Sequence, residues 1–339
     1  MESVTEPRPF PASRQAFRSL KSPRNWSDKV TNYTIPTFNG EMTPTKTYTH
    51  RSQPIDYFQD MFSEQLILSI SYNTNLYALH ATDWTETNGA EISAFIGIVV
   101  MMGLSPQSDF ELYWSTDPFF KNDEISKVMP LRRFKKILQY LHVNDNTTAA
   151  KYGEPNFDRL HKIRPMLTVL NQSFQENCVQ SQKQCIDESM VKFKGRSVMK
   201  QYMPQKPIKR GYKIWARCDS HSGYLHEFDI YVGKDHSAPA PEEGLAYNVV
   251  TKICRNVPAD TLITFDNFYT SVPLVQALYD RIIYSTGTIR SDRKGLSEEE
   301  RNKRTRPKLK IGEFTFKHSN PLSYVKMDEY KRCPGIDYC

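Results

Sequence analysis

Long apolar runs are missing from this chain. No stretch reaches the roughly eighteen apolar residues that a membrane helix needs. The longest candidate, Ile92 to Leu104, reads as a buried helix, so no membrane association is expected. No secretory leader is recognisable, because the opening residues are polar and proline-rich. Cysteine is scarce and scattered: Cys178, Cys185, Cys218, Cys254, Cys333 and Cys339 form no CxxC pair. That spacing argues against a disulfide framework or a zinc ribbon, suits a reducing compartment and leads us to expect no zinc site. No glycine-rich phosphate loop and no Ser-His-Asp pattern appears, which leaves little support for carbohydrate or small-molecule chemistry. His221, His226 and His236 flank core segments without a ligand pattern and read as surface or packing residues.

What remains is an ordinary folded composition with a moderate positive balance. Of 339 residues, 39% are hydrophobic and 12% aromatic, enough for two or three domains with a substantial core. The net charge of +7 is compatible with a nucleic-acid partner without requiring one. The distribution of that charge matters more than its sum.

Residues 1–50 are rich in Pro, Ser, Thr and basic side chains and read as a flexible polar arm, in which Tyr33–Phe38 docks as extended chain. Helical spacing follows over residues 51–180. Pro54 opens a pattern of Tyr57, Phe58, Met61, Phe62, Leu66 and Ile70. Thr87 or Asn88 caps a second helix with Ile92, Phe95, Ile96, Val99 and Val100 as its apolar face. A third runs from Leu131 to Leu141, with Phe134, Ile137, Leu138 and Leu141 inward. A fourth occupies Leu160 to Asn177. The texture then changes. Cys185–Val191, Tyr212–Cys218 and Tyr224–Val232 read as strands, Leu245–Cys254 as a helix, Thr261–Phe265 as a strand and Ser271–Leu278 as a capped helix, with a last strand over Ile282–Ile289. Three strands, a helix, a strand and a helix is the order of an RNase H-like core. That order places the first and fourth strands side by side.

Asp187 and Asp266 then acquire a common meaning. They lie 79 positions apart, Asp187 in the first of those strands and Asp266 directly after the fourth, and so meet at one edge of the sheet. Carboxylates brought together repel unless a proton or a cation sits between them. A hard divalent ion such as Mg2+ answers that need and keeps waters to exchange for phosphate oxygens. The plainer alternative stays open: Asp187–Glu188 as a polar strand end and Asp266–Asn267 as turn residues. Beside them runs a basic stretch free of acids, comprising Lys192, Lys194, Arg196, Lys200, Lys206, Lys209, Arg210 and Lys213, interleaved with Phe193, Tyr202 and Tyr212. A solvated loop face is one meaning of such a run. Next to a carboxylate pair, a surface that tracks phosphates is the better one.

The segments DESMVKFKGR, KQYMPQKPIKRGYKIW, FDIYVGK and LITFDNFYTSVPLVQAL, in that order, resemble the catalytic core of the piggyBac family of DNA transposases and their domesticated derivatives. Upstream, PIDYFQDMF, EISAFIGIVVMMGL, ELYWS and MPLRRFKKILQYLHVND resemble the family's helical region. The resemblance spans about residues 50–330. It implies an α/β chain with an RNase H-like mixed-sheet core over residues 181–292, incomplete at its C-terminal end. A helical dimerisation and DNA-binding region over 51–180 precedes it, and the start of an insertion region over 293–339 follows. By the same resemblance Asp187 and Asp266 are catalytic metal ligands for Mg2+ in a DDD cut-and-paste transposase, and the basic run contacts DNA. The implied partners are double-stranded DNA with TTAA-flanked ends and a second copy of the chain, in the nucleus.

The third aspartate of the family lies in a GGVD-like motif farther along than this chain extends. Asp337 and Asp328 match its position poorly, and CPGIDYC departs from the family pattern. The leading expectation is therefore a DNA-binding, transposase-derived protein whose cleavage site is incomplete and whose sheet is marginally stable. The alternatives are an active transposase or nuclease completed by another acid, and a chromatin-associated protein that uses its basic face alone.

Overall fold

The computed structural model describes residues 10, 24–29, 38, 40–233, 244–304, 306 and 308–327. Chain packing separates Pro44–Asn177 from a second unit formed by the described residues of Met1–Thr43 and Cys178–Cys339. No helix among the described residues is long and apolar enough to cross a membrane.

The first unit is helical: α1 (Pro54–Met61), α2 (Glu64–Ala78), α3 (Gly89–Leu104), α4 (Asp123–Val128), α5 (Leu131–Tyr140) and α6 (Arg164–Glu176). Side-chain caps set three of the starts, among them Asn122, which accepts from the Ile125 N–H and begins α4. Ser63 accepts from the Leu66 N–H and begins α2, which breaks the continuous pattern expected from Pro54 through Ile70. Asn88 caps α3, while the Thr87 hydroxyl donates to Glu91. Two buried faces differ from the sequence expectation. α3 buries Ile92, Phe95 and Ile98 and leaves Val99 and Val100 exposed; in α5, Phe134 and Ile137 are buried and Leu138 is exposed. The core closes around Phe134, whose ring lies 4.9 Å from Phe95 and 5.2 Å from Trp114. Arg133 grips both carboxylate oxygens of Glu91, at 2.6 and 2.5 Å, and so ties α5 to the first turn of α3.

The second unit is a mixed α/β arrangement. Its strands are β1 (Lys183–Lys192), β2 (Gln201–Tyr202), β3 (Arg210–Asp219), β4 (Leu225–Ile230), β5 (Leu262–Phe265) and β6 (Tyr284–Gly287), with α7 (Leu245–Ile253) and α8 (Val272–Tyr279) between the later ones. The sheet runs β2-β3-β1-β5-β6, with β4 also on β3. β1 pairs antiparallel with β3 and parallel with β5, and β5 pairs parallel with β6. One sheet face is packed: Ile186, Trp215, Ile263 and Phe265 meet Val250 and Ile253 of α7 and Leu274 and Leu278 of α8. The other face holds Cys185, Asp187, Ser189 and Val191 of β1, all half-exposed or exposed. Gly211 is needed where β3 passes β1, because a Cβ there would sit 1.9 Å from the Val191 carbonyl oxygen.

Five elements carried no expectation: the short helices α4 and α9 (Glu298–Arg301), the two-residue β2, and the antiparallel hairpin β7 (Phe314–Ser319) with β8 (Leu322–Met327). Part of the polar arm docks on that hairpin. Ser27 exchanges backbone bonds with His318 at 2.8 and 2.7 Å, and the Trp26 indole donates to Gly295 O at 2.9 Å. Of Tyr33–Phe38 only Phe38 is described, so the docking expected of that stretch lies outside the described residues.

Beneath β3 and β4, buried polar groups make this unit acid-sensitive. His226 has no exposed surface, and neither ring nitrogen has a hydrogen-bond partner among the described residues. Burial, then the Arg217 guanidinium, hold its imidazole down to about 4. Burial pushes the Asp219 carboxyl up, but donation from the Ser181 and Ser222 hydroxyls and the Ser222 and His221 amides outweighs it and brings the group to about 2. Both folded values lie below the unfolded ones. The His226 contribution is therefore complete above about pH 6.5 and fades as pH falls toward 4. That of Asp219 is complete above about pH 4 and fades toward 2. Lowering pH from 7 to 5 should remove about 2 kcal/mol through His226 alone. Urea unfolding at the two pH values should show that loss in the parent chain and most of it gone in His226→Phe.

Candidate nucleic-acid interface and carboxylate pair

The register of β1 and β5 brings two acids together. Ile186 stands beside Phe265 in the parallel pairing, so the next residues, Asp187 within β1 and Asp266 just past the end of β5, stand at the same height on neighbouring strands. Adjacent strands are about 4.8 Å apart, which sets the scale of their separation. Both are exposed, the Asp187 side chain by 62%. Asp266 ends its strand and starts a turn: its Oδ1 accepts from the Phe268 N–H at 2.9 Å, and its carbonyl accepts from the Thr270 hydroxyl at 2.7 Å. The Lys206 ammonium stands 3.1 Å from Asp187 Oδ2.

Glu188, adjacent in sequence, belongs to another environment. Strand alternation turns it to the packed face, where its carboxylate accepts from the Tyr269 hydroxyl at 3.0 Å and lies 4.0 Å from Lys213. Burial, reinforced by the Glu188 charge and bond, pushes the Tyr269 phenol well above its ordinary value. Lys213 also lies over the ring of Phe268, 4.9 Å from its centre. Tyr269 and Phe268 carried no functional reading in the sequence, although their positions directly after Asp266 were a signal that they would line this region. Among the described residues no group of three His, Cys, Asp or Glu side chains could hold a metal ion. Asp328, Asp337, Cys333, Cys339 and His236 lie outside the described residues.

The eight basic residues separate into distinct places. Lys192, Lys194, Lys200, Lys209 and Arg210 line an open trough of about 600 Å3 at the far end of β1 and the start of β3, together with Phe193, Tyr202, Pro207 and Ile208. The Arg210 guanidinium lies over the exposed Tyr202 ring at 5.0 Å, and Phe193 stacks on Tyr212 at 4.8 Å. Lys200 donates to Gly195 O at 2.6 Å, across the loop that carries the exposed Arg196. Lys206 and Lys213 are turned to the carboxylates instead. The arrangement thus offers two exposed carboxylates in register on one sheet edge and a cation-lined, aromatic-floored trough farther along the same strand.

The chain is similar to several known proteins. A family model described as Transposase IS4 matches residues 53–333. The human PiggyBac transposable element-derived protein 3 is 27% identical over 298 residues, covering 86% of this chain and 48% of that protein. Human PiggyBac transposable element-derived protein 2 is 28% identical over 271 residues, with 78% and 44% covered. This chain therefore spans about half the length of the curated relatives it matches. A piggyBac transposase, solved by cryo-EM as a synaptic complex with hairpin DNA, superposes with a TM-score of 0.70 at 26% identity, over 86% of this chain and 61% of that one. Since the matched region takes in the carboxylate pair, the trough and every strand of the mixed sheet, the chain belongs to the piggyBac-type transposase family.

Proposed function

We propose that this chain is a transposase-derived DNA-binding protein, built on an RNase H-like core, that holds duplex DNA along the β1 edge without cutting it. The observation that carries this reading is the alignment of Asp187 and Asp266 on adjacent strands, with the cation-lined trough on the same strand beyond them. Antiparallel pairing of β1 with β3 and parallel pairing with β5 through a helical crossover supports the RNase H-like assignment. That the solved relative was captured with hairpin DNA supports a nucleic-acid ligand.

The donor set suits a hard divalent cation. Two exposed carboxylates supply oxygen ligands, and solvent access leaves room for the waters that Mg2+ retains. Asp187 and Asp266 would hold it, and it would neutralise phosphodiester oxygens. In its own right Asp187 faces the Lys206 ammonium, which balances the carboxylate and lets a DNA strand approach a nearly neutral edge. Asp328 and Asp337 match the position of the family's third aspartate poorly, so binding rather than strand cleavage is the activity assigned. A homodimer acting in the nucleus on TTAA-flanked ends completes the reading, as the family resemblance implies.

The test is a gel-shift and nicking assay on duplexes with TTAA-flanked ends, in Mg2+. Salt-sensitive binding without nicking is expected, and Asp187→Ala and Asp266→Ala should keep that binding. Nicking that disappears in Asp187→Ala would overturn the non-cleaving assignment. Absence of binding at low salt would overturn the DNA reading.

A further inference from the structure

Directly before the carboxylate pair, β1 and β3 bring two cysteines face to face. Cys185 stands opposite Cys218 in the antiparallel register. The Ser220 N–H donates to Lys183 O at 3.0 Å, and the Phe193 N–H donates to Arg210 O at 3.4 Å. These bonds phase the ladder, so that Cys185 and Cys218 form one of its hydrogen-bonded pairs, with Cα atoms about 5.5 Å apart. Both side chains lie on the open face, since their neighbours Ile186 and Arg217 are buried on the packed one. Both are half-exposed and both are free thiols. Cys254, by contrast, is wholly buried, as a purely packing cysteine would be.

We propose that Cys185 and Cys218 form a dithiol site that takes one thiophilic atom between its sulfurs, a trivalent arsenical or a comparably soft, low-coordinate centre. Spacing favours an inserted atom over a disulfide. The Cα spacing of about 5.5 Å lies within the range that disulfides use, but opposed residues of a hydrogen-bonded pair hold their Cβ atoms farther apart than the roughly 3.8 Å a disulfide prefers. A centre bonded to each sulfur at roughly 2.3 Å spans the gap with the strands where they are. Donor number points the same way. No third His, Cys, Asp or Glu completes a metal-holding group among the described residues, so a four-coordinate ion is poorly served while a two-sulfur centre is satisfied.

The reaction balances without an oxidant. An arsenoxide, R–As=O, forms two As–S bonds, its oxygen leaves as water with the two thiol protons, and arsenic stays trivalent. The site lies two residues from Asp187 on the same face, about 7 Å along the strand, so its occupant would crowd the carboxylate pair.

The experiment uses the full chain, reduced and freed of reductant, with phenylarsine oxide as the probe. Intact mass should show one arsenical per chain and the loss of two titratable thiols, stable to a monothiol wash and reversed by a small dithiol. A tryptic digest should recover Gln184–Lys192 joined through arsenic to Cys218–Lys234. Cys185→Ser and Cys218→Ser should each abolish the adduct, with circular dichroism unchanged, while Cys178→Ser, Cys333→Ser and Cys339→Ser retain it. Persistence of the adduct in Cys185→Ser, recovery of other peptides in its place, or capture only in denaturant would overturn the proposal. None of these readouts depends on DNA binding.

Discussion

Arg217→Met is expected to lower the unfolding free energy of the sheet unit by about 3–5 kcal/mol, the usual cost of breaking a buried ion pair from one side. The guanidinium has no exposed surface and spends its donors on four acceptors from three elements and the segment leading into β1. Nε donates to Ile253 O, in the last turn of α7, at 2.7 Å. One terminal nitrogen donates to Gln180 Oε1 at 2.7 Å and to Gln184 Oε1 at 2.5 Å; the other donates to Glu227 Oε2 of β4 at 3.2 Å. Methionine matches much of the volume and supplies no donor. The α7 carbonyl, two amide oxygens and a carboxylate would then be buried without their partner, and unmet acceptors cost more than formed bonds contribute. Burial already pushes the Glu227 carboxyl up against the pull of Arg217, so its loss should drive that carboxyl to the neutral acid.

Two measurements separate this account from a general loss of packing. Arg217→Met/Glu227→Leu should recover part of the lost stability, because the orphaned charge goes with its partner. Hydrogen exchange should accelerate in β1, β3 and β4 and leave the helices of residues 44–177 unchanged, since that unit has its own core. A loss below about 1 kcal/mol would mean that water replaces the guanidinium and that the cluster is not closed.

What could be read from the letters alone follows from how local each signal is. Ser271 accepts from the Leu274 N–H as the sequence leads one to expect, and a β-branched run ending on Asp266 is a strand. Such signals depend on residues three or four apart. α3 defeated the same reasoning because GAEISAFIGIVVMMGL is apolar on every side; with no polar face for contrast, Ile98 and Val99 cannot be ranked. The β7–β8 hairpin and the docking of Ser27 on His318 are pairings over distance. The second joins residues at opposite ends of the described chain, which no window of sequence registers. The candidate site shows both cases. Asp187 and Asp266 were legible because strand order alone makes neighbours of β1 and β5. The fate of eight similar basic residues was not, because it depends on how residues 193–209 fold back over the β1–β3 ladder, and that decides which ammonium meets an acid and which meets solvent.

The division among those eight residues leads to the largest functional effect expected. Each phosphate neutralised by a lysine or arginine adds about 0.9 to the negative slope of log affinity against log salt on duplex DNA. Lys192, Lys194, Lys209 and Arg210 are exposed, line the trough and face no acid among the described residues. Converting all four to glutamine should flatten the slope by as much as about 3.6. At 0.1 M salt this is a loss on the order of a thousandfold, if each contact is taken as ineffective at 1 M. Lys206→Gln and Lys213→Gln should each change the slope by well under 0.9, because those ammoniums stand against Asp187 and Glu188. Fluorescence anisotropy with a labelled duplex, titrated between 0.05 and about 0.3 M salt, reads all six substitutions in one format. An unchanged slope in the fourfold variant would remove the trough from the DNA interface. Equal effects from Lys206 and Lys213 would mean that DNA displaces the carboxylate pairings, and that the whole basic run tracks the backbone as one surface.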